Sequence, residues 1–506
     1  MDRIPSEIVA EIFFLCLPAT NYVRPHPSTA PILLTHVCSS WRAFAFDFPD
    51  LWTNIHLTDA WKGSSLLDEV GSLNQMLLRQ AELWNRHSRG RLASISLDLA
   101  YHTPRKSWKN RERDIPFWHP LVCRVVNENL QTVRHLFIRF NFGSHGLPFY
   151  NSSSLEIRDL ENLHFAITTE THTATFPPIF SHAPSLRRVI VDVPQGTYNN
   201  MQLPWAQLTH LIFVSETPLE FFYFVVEECP LLERLSMNIC SYNYVQVSTK
   251  VIRLNNLRDL SLTLLHITGP FFINTISFPL LAKLHFFSSI KSNPPHFRWE
   301  PLTAGHWDML HQWRNLHTLV LGYHTISGDT LLGILRLIPH LVELGVDSDL
   351  GTYRSFLQGL TYQPDPEEGH QNILKHLETF RLYIEISGDG RLQPRILDDF
   401  ALIFDALLVM VLSRSASQSF PRGVDGNHTA FSEEISVRAH LKKVLVCVED
   451  TRELRQTTDL NEFHTRCQTH PQLSVPNMVF DVICKINEYN WLEEKIDTWE
   501  TFTHRS

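Results

Sequence analysis

The sequence predicts an α/β chain: a small helical module at the N-terminus, then a solenoid whose repeats each supply one strand and a connecting helix or loop. Three observations carry that expectation. Residues 4–52 hold two runs of apolar side chains at three- and four-residue spacing. Farther on, Leu-x-x-Leu-x-Leu-like units recur, and those starting at Leu160, Leu186, Leu208, Leu232, Leu257 and Leu281 are 22 to 26 residues apart. Four units carry a proline two residues ahead of the first leucine, at Pro184, Pro230, Pro279 and Pro339, a phasing that ends one helix and turns the chain toward an extended strand.

In the N-terminal module, Pro5 suits a first helical position, and Glu7 and Glu11 lie toward the positive end of the helix that follows. Ile4, Ile8, Ile12 and Leu15 make one apolar face. The second run, Ile32, Leu33, Val37, Trp41 and Phe44, predicts a second helix with the Trp41 indole one turn beyond Val37. A module of about fifty residues with this much apolar surface is marginal alone, so a partner or the rest of the chain is expected to complete it.

Ile4-Pro5-Ser6-Glu7-Ile8-Val9-Ala10-Glu11-Ile12-Phe13, then Val37-Cys38-Ser39-Ser40-Trp41-Arg42, then Pro49-Asp50-Leu51-Trp52 follow one another in an order that resembles an F-box. The whole is similar to the F-box proteins of mushroom-forming (basidiomycete) fungi. That resemblance implies docking onto the adaptor Skp1 and, through it, onto the cullin and RING protein of a ubiquitin ligase. It places the adaptor contact on Ile4, Pro5, Ile8, Ile12, Val37, Cys38, Trp41, Leu51 and Trp52. The chain departs from the family in an insert at 18–31 with four prolines, where many F-boxes have a short turn.

The repeat units start at Leu92, Val133, Leu160, Leu186, Leu208, Leu232, Leu257, Leu281, Leu316, Leu341, Leu377 and Leu441. Their period resembles that of degenerate leucine-rich repeats, which implies parallel strands on a concave face with helices and loops on the convex side; an asparagine ladder at the strand ends is missing. Two connecting helices are legible. One follows Thr217-Pro218-Leu219-Glu220, with Thr217 as the expected cap, and the other runs from Ser327 to Ile338. Leu73, Leu77, Ala81 and Trp84 predict a helix to Ser88 that packs the first module onto the array. The expected divisions are an F-box at 1–57, a linking helix at 58–91, the repeats at 92–387 and an irregular C-terminal repeat region at 388–506. That last region is expected to hold a helix from Leu397 to Leu412, a loop at 413–434, a final strand at His440–Val448 and a helical tail.

Composition narrows the function. At 506 residues, 43% hydrophobic and 19% charged, the chain is globular, and a net charge of −9 argues against general nucleic-acid or anionic-membrane binding. A local basic run around Trp108, Arg105 to Arg113, is diluted by Glu112 and Asp114 and reads as a solvated loop. The longest membrane-like stretch, Phe400 to Leu412, is too short to span a bilayer, no secretory signal is visible, and eight cysteines without close pairs fit a reducing compartment, cytoplasm or nucleus. Phosphate-binding, nucleophile-elbow and zinc motifs are missing, so neither enzyme activity, a cofactor nor a metal is expected.

Function is then expected on surfaces. In each unit the first, fourth and sixth residues should face the core and the third, fifth and seventh the concave side. This puts Arg188, His210, Arg234, Asp259, Lys283 and Glu343 in one row, His285 and Arg381 in the next, and Asp192, Asn238, Phe287, Asp347 and Tyr383 in the third. Arginine and aromatic side chains are the usual interface anchors, so Arg234, Phe287, Arg381 and Tyr383 are the candidates for contact with a target protein. Together these features suggest the substrate-recognition subunit of a Skp1–cullin–F-box ligase; a repeat scaffold outside any ligase is the alternative.

Overall fold

The structure is a computed structural model that describes residues 4–18, 22–58, 70–99, 127–140, 157–167, 176–194, 197–240, 252–265, 276–288, 311–322, 327–347, 353–363, 372–386, 405–414, 441–450 and 479–485. The chain divides into two compact units, one of Met1–Ile239 with Leu492–Ser506 and one of Cys240–Trp491. Each is α/β and built on a parallel sheet.

The first unit opens with three helices, α1 (Ser6–Leu15), α2 (Ile32–Thr35) and α3 (Ser39–Asp47), and a 3-10 turn at Pro49–Trp52. Pro5 occupies the N-cap at φ −53° and ψ 143°, one residue before the expected first helical position. The expected second helix is two helices: the chain breaks at 36–38, and the Cys38 sulfur accepts the Trp41 N–H at 3.4 Å to start α3. Arg42 Nε donates to the Thr35 carbonyl at 2.8 Å and ties the two halves together.

Seven strands then follow in chain order across the first sheet: β1 (Asn54–Thr58), β2 (Ser94–Leu99), β3 (His135–Phe140), β4 (Asn162–Ile167), β5 (Arg188–Asp192), β6 (His210–Pro218) and β7 (Arg234–Cys240). The pairs from β1 to β6 are parallel and register residue for residue, Asn54 with Ser94, Ser94 with His135, His135 with Asn162, Asn162 with Arg188 and Arg188 with His210. The insert is clasped to this sheet, because the His56 N–H donates to the Val23 carbonyl at 2.8 Å and Val23 is buried. A long helix, α4 (Val70–Ser88), buries Leu77, Ala81 and Trp84, and the chain leaves it through Arg89 and Gly90 at φ 54° and 71°, where glycine carries no Cβ penalty.

Thr217 does not cap the next helix. It belongs to β6 and donates its hydroxyl to the Asn238 carbonyl at 2.8 Å, while α5 (Leu219–Glu228) starts after Pro218 with no side-chain cap. Pairing with the neighbouring strand competed for the same hydroxyl and won.

In the second unit the sheet order is β9 (Asp259–Leu265), β11 (Lys283–Ser288), β12 (Thr318–Gly322), β13 (Glu343–Asp347), β14 (Thr379–Ile386), β15 (Lys443–Asp450) and β16 (Val479–Lys485), again parallel in chain order. A separate parallel pair joins β8 (Ile252–Arg253) to β10 (Ile276–Ser277). Its helices are α6 (Gly328–Arg336), α7 (Tyr353–Leu360) and α8 (405–414). Ser327 caps α6 as expected, its hydroxyl accepting the Thr330 N–H at 3.2 Å.

All twelve expected repeat starts lie two residues ahead of a strand, and each of those side chains is buried, none more than 4% exposed. Two expectations in the C-terminal region fail. Val479–Lys485 is a further strand paired with β15, so His440–Val448 does not hold the last strand, while residues 486–506, which include the end of the expected helical tail, lie outside the described residues. The expected loop also starts later, because Ser413 and Arg414 still belong to α8 and Arg414 is 1% exposed. Residues 415–434, the basic run at 105–113 and the first part of the helix expected at 397–412 lie outside the described residues.

Candidate protein-docking interface

α1 has two apolar faces with opposite fates. Val9, Ala10 and Phe13 turn inward, where the Phe13 ring lies 4.9 Å from Trp41 and 5.3 Å from Phe44. Ile4, Ile8, Ile12 and Leu15 turn outward and are 45%, 51%, 41% and 84% exposed. Phe14, Leu33 and Val37 are exposed as well, so seven of the twelve large apolar side chains that are exposed among the described residues fall within residues 4–37. Scattered exposed leucines are ordinary; a concentration in one small module makes this surface the candidate for docking.

The nine residues expected to contact an adaptor therefore divide. Ile4, Pro5, Ile8, Ile12, Val37 and Cys38 are exposed, and Trp41 is half-buried against Phe13. Leu51 and Trp52 are 1% and 0% exposed and have no free surface to offer. Trp52 Nε1 donates to the Ala45 carbonyl at 2.7 Å, and its ring meets Trp84 edge to face at 4.8 Å. Trp84 in turn donates to the Asn54 carbonyl at 2.8 Å, and His87 stacks on Phe46 at 4.3 Å. These aromatic residues seat the helical module on α4 and β1; Leu51 and Trp52 are expected as contacts from sequence because a sequence does not tell which side of a Leu-Trp pair is filled from within.

On the open face of the first sheet, register places side chains of neighbouring strands together. His56 Nδ1 and Ser96 Oγ are 2.7 Å apart, Arg139 Nε donates to Asp98 Oδ1 at 2.7 Å, and the Phe137 ring lies 4.4 Å from His164. Burial holds His164 neutral, pushed down to about 3, with Arg139 adding and Asp98 opposing. Burial likewise lowers His210 to about 4, and Arg188 and Arg234 reinforce it. Asp192 shifts upward because burial outweighs the hydrogen bond from Ser215. The middle of this face is apolar: Ile190 and Ile212 are 8% and 2% exposed, with Val214 packed beside them.

The four candidate target contacts are divided between the units. Arg234 stands half-buried in β7 of the first. In the second, Phe287 is 9% exposed and is core rather than a presented anchor, and Arg381 is held by Glu343 at 2.6 Å. Tyr383 pairs with Asp347 and Cys447 along the ladder, and its side chain lies outside the described residues. The cluster of His56, Asp98, Phe137, Arg139 and His164 is not among the expected contacts, although the same register, extended back to Leu92 and Val133, points to it.

Among the described residues no group of three or more His, Cys, Asp or Glu side chains is placed to hold a metal ion, and no helix is long and apolar enough to cross a membrane. The chain matches no protein-family model, and no curated protein matches it in sequence.

Proposed function

We propose that this chain is the substrate-recognition subunit of a Skp1–cullin–F-box type ubiquitin ligase, with α1–α3 docking a Skp1-like adaptor and leucine-rich-repeat-like strands holding a target protein. The observation that carries this reading is the outward face of α1, Ile4, Ile8, Ile12 and Leu15, left uncovered while the inward face of the same helix is fully packed. Regularly phased strands with the first, fourth and sixth side chains buried support the repeat part of the reading. The chain itself would catalyse nothing; it would act by raising the effective concentration of a bound target near a charged ubiquitin-conjugating enzyme.

The test is co-expression with a Skp1-like adaptor, comparing the native chain with an Ile8→Asp, Ile12→Asp double variant by pull-down and size exclusion. Both positions are exposed, so the variant should keep its fold by circular dichroism and melting. Truncating Trp41 is a poorer probe, since its ring packs on Phe13. If these are interface anchors, each charge should weaken the complex by about 2 kcal/mol or more. No complex with well-folded native chain would sink the adaptor reading, and an adaptor complex that never recruits cullin would favour the scaffold outside a ligase.

A further inference from the structure

The second unit carries a histidine pair that adaptor docking does not use. His340 and His376 stand three residues ahead of Glu343 and Thr379, which register with each other across β13 and β14. Each histidine precedes a fully buried leucine, Leu341 or Leu377. Those leucines close matching turns, the Leu341 N–H donating to the Ile338 carbonyl at 3.3 Å and the Leu377 N–H to the Leu374 carbonyl at 3.2 Å. The Glu378 N–H donates to the Val342 carbonyl at 2.8 Å and locks the two strand entries side by side. Two exposed imidazoles are thereby held on neighbouring entries, with ring centroids 6.0 Å apart and planes inclined by 25°. In the sequence His440 has the same offset from Lys443, the residue that pairs with Thr379, and lies outside the described residues.

We propose that His340 and His376 form a binding site for a divalent transition-metal ion of the zinc, nickel or copper class. With metal–nitrogen bonds of about 2.0–2.1 Å and each nitrogen about 1.2 Å from the centre of its ring, two imidazoles on one tetrahedral ion have centroids roughly 5 Å apart. The pair lies within about 1 Å of that spacing, and exposed histidines with broad χ2 wells cover the difference without a backbone shift. Among the described residues neither imidazole has a hydrogen-bond or ion-pair partner, so binding breaks no such contact.

The donor set selects the ion. The carboxylates that follow the two histidines in sequence are engaged elsewhere, Glu343 Oε1 with Arg381 at 2.6 Å and Glu378 Oε1 with Lys442 Nζ at 2.7 Å. What remains is a pair of nitrogen ligands, which suits copper, nickel and zinc; magnesium and calcium take oxygen ligands instead. Two protein ligands leave two positions of a tetrahedral shell for water or for a donor carried by another molecule.

The experiment is calorimetric titration of the chelator-stripped full chain with Ni²⁺, Zn²⁺ and Mg²⁺ in turn. Hydrogen exchange read by mass spectrometry over peptides covering 339–344 and 375–380 locates the bound ion. Because the chain has 27 histidines, variants assign the site. Expected is a Ni²⁺ and Zn²⁺ site that weakens about tenfold or more in His340→Gln and to the same degree in His376→Gln. It should be unchanged in His182→Gln, which alters an exposed histidine of the first unit, and both peptides should exchange more slowly once Ni²⁺ is added. Both paired histidines are exposed, so their glutamine variants should melt like the native chain in chelator. Native affinity and stoichiometry in the two variants overturns the proposal, as does a loss confined to one of them or an ion that protects neither peptide. A Mg²⁺ response that the two variants also lose would assign the site to oxygen ligands and overturn it as well. None of these outcomes depends on adaptor binding.

Discussion

Replacing Trp52 by alanine separates a core residue from a contact residue. The side chain is fully buried, donates to the Ala45 carbonyl at 2.7 Å and meets Trp84 edge to face at 4.8 Å. Truncating a buried tryptophan costs about 3–5 kcal/mol, cavity included. Leaving the Ala45 carbonyl without its donor adds about 1 kcal/mol. The aromatic pair contributes about another 0.5–1.5 kcal/mol, part of which the truncation figure already contains, so the total is about 4–6 kcal/mol. For a unit of this size each kcal/mol moves the melting temperature by about 2–4 °C, which predicts a fall of roughly 10–20 °C for the first unit. The assay is thermal unfolding followed by tryptophan fluorescence, run beside Ile8→Asp, Ile12→Asp, which should melt like the native chain. A Trp52→Ala variant that melts within about 2 °C of native yet loses adaptor binding would show that Trp52 is a contact and that the seating argument is wrong.

Three further outcomes follow from other buried groups. Arg414 donates to the carbonyls of Leu360, Ile373 and Leu374 at 2.8, 2.7 and 2.8 Å from a fully buried position, so Arg414→Met should destabilise the second unit by about 3–5 kcal/mol, and Arg414→Lys should not restore it because an ammonium lacks the planar fork; a melt within about 2 °C of native would contradict this. His164 has a folded pKa near 3 against 6.5 unfolded, so above pH 6.5 it contributes nothing, and as pH falls below 6.5 the unfolded chain binds a proton that the folded chain refuses. Stability should drop by about 1.4 kcal/mol per pH unit for such a group, and His164→Gln should melt with a shallower dependence between pH 7 and 5; parallel curves would refute the assignment. Cys229 is buried and its thiol is pushed up to about 12, whereas Cys16 and Cys38 are exposed, so alkylation at neutral pH read by mass spectrometry should modify the latter two and spare Cys229 until the unit unfolds.

How much was legible depended on whether a side chain's fate is set locally or by distant packing. The twelve strand starts were readable because leucine at the first, fourth and sixth positions can only be satisfied by a strand whose alternate residues share one core, and prolines such as Pro184 and Pro339 mark where it begins. Strand β1 was missed because Asn54–Thr58 lacks a preceding repeat leucine; Ile55 and Leu57 are buried by pairing with β2, forty residues away. Strand β16 was missed for the same reason. The Cys38 cap was hidden because a thiol is a weak acceptor and does not advertise a helix start. Arg414 was assigned to a loop because a charged residue in a polar stretch is usually solvated; its burial becomes sensible only once the three carbonyls around it are known.

The faces of α1 show the limit most clearly, since Val9, Ala10 and Phe13 and the outward Ile4, Ile8, Ile12 and Leu15 are equally apolar and the sequence cannot rank them. Packing ranks them through Trp41 and Phe44, which close on Phe13 and leave the isoleucine stripe outside. Fully burying an aliphatic side chain of this kind is worth about 1.5–3 kcal/mol; with Ile4, Ile8 and Ile12 about half covered and Leu15 largely bare, the four outward residues together retain roughly 3–7 kcal/mol. Leu33 and Val37 extend the total by roughly 2 kcal/mol. Association costs about 4–15 kcal/mol, so the stripe is of the size that sustains a complex only when nearly all of it is covered and further contacts are added. A single buried aspartate in its middle should then be enough to empty the interface, which is why Ile8 and Ile12, at the centre of the stripe, are better positions to charge than Ile4 or Leu15 at its ends.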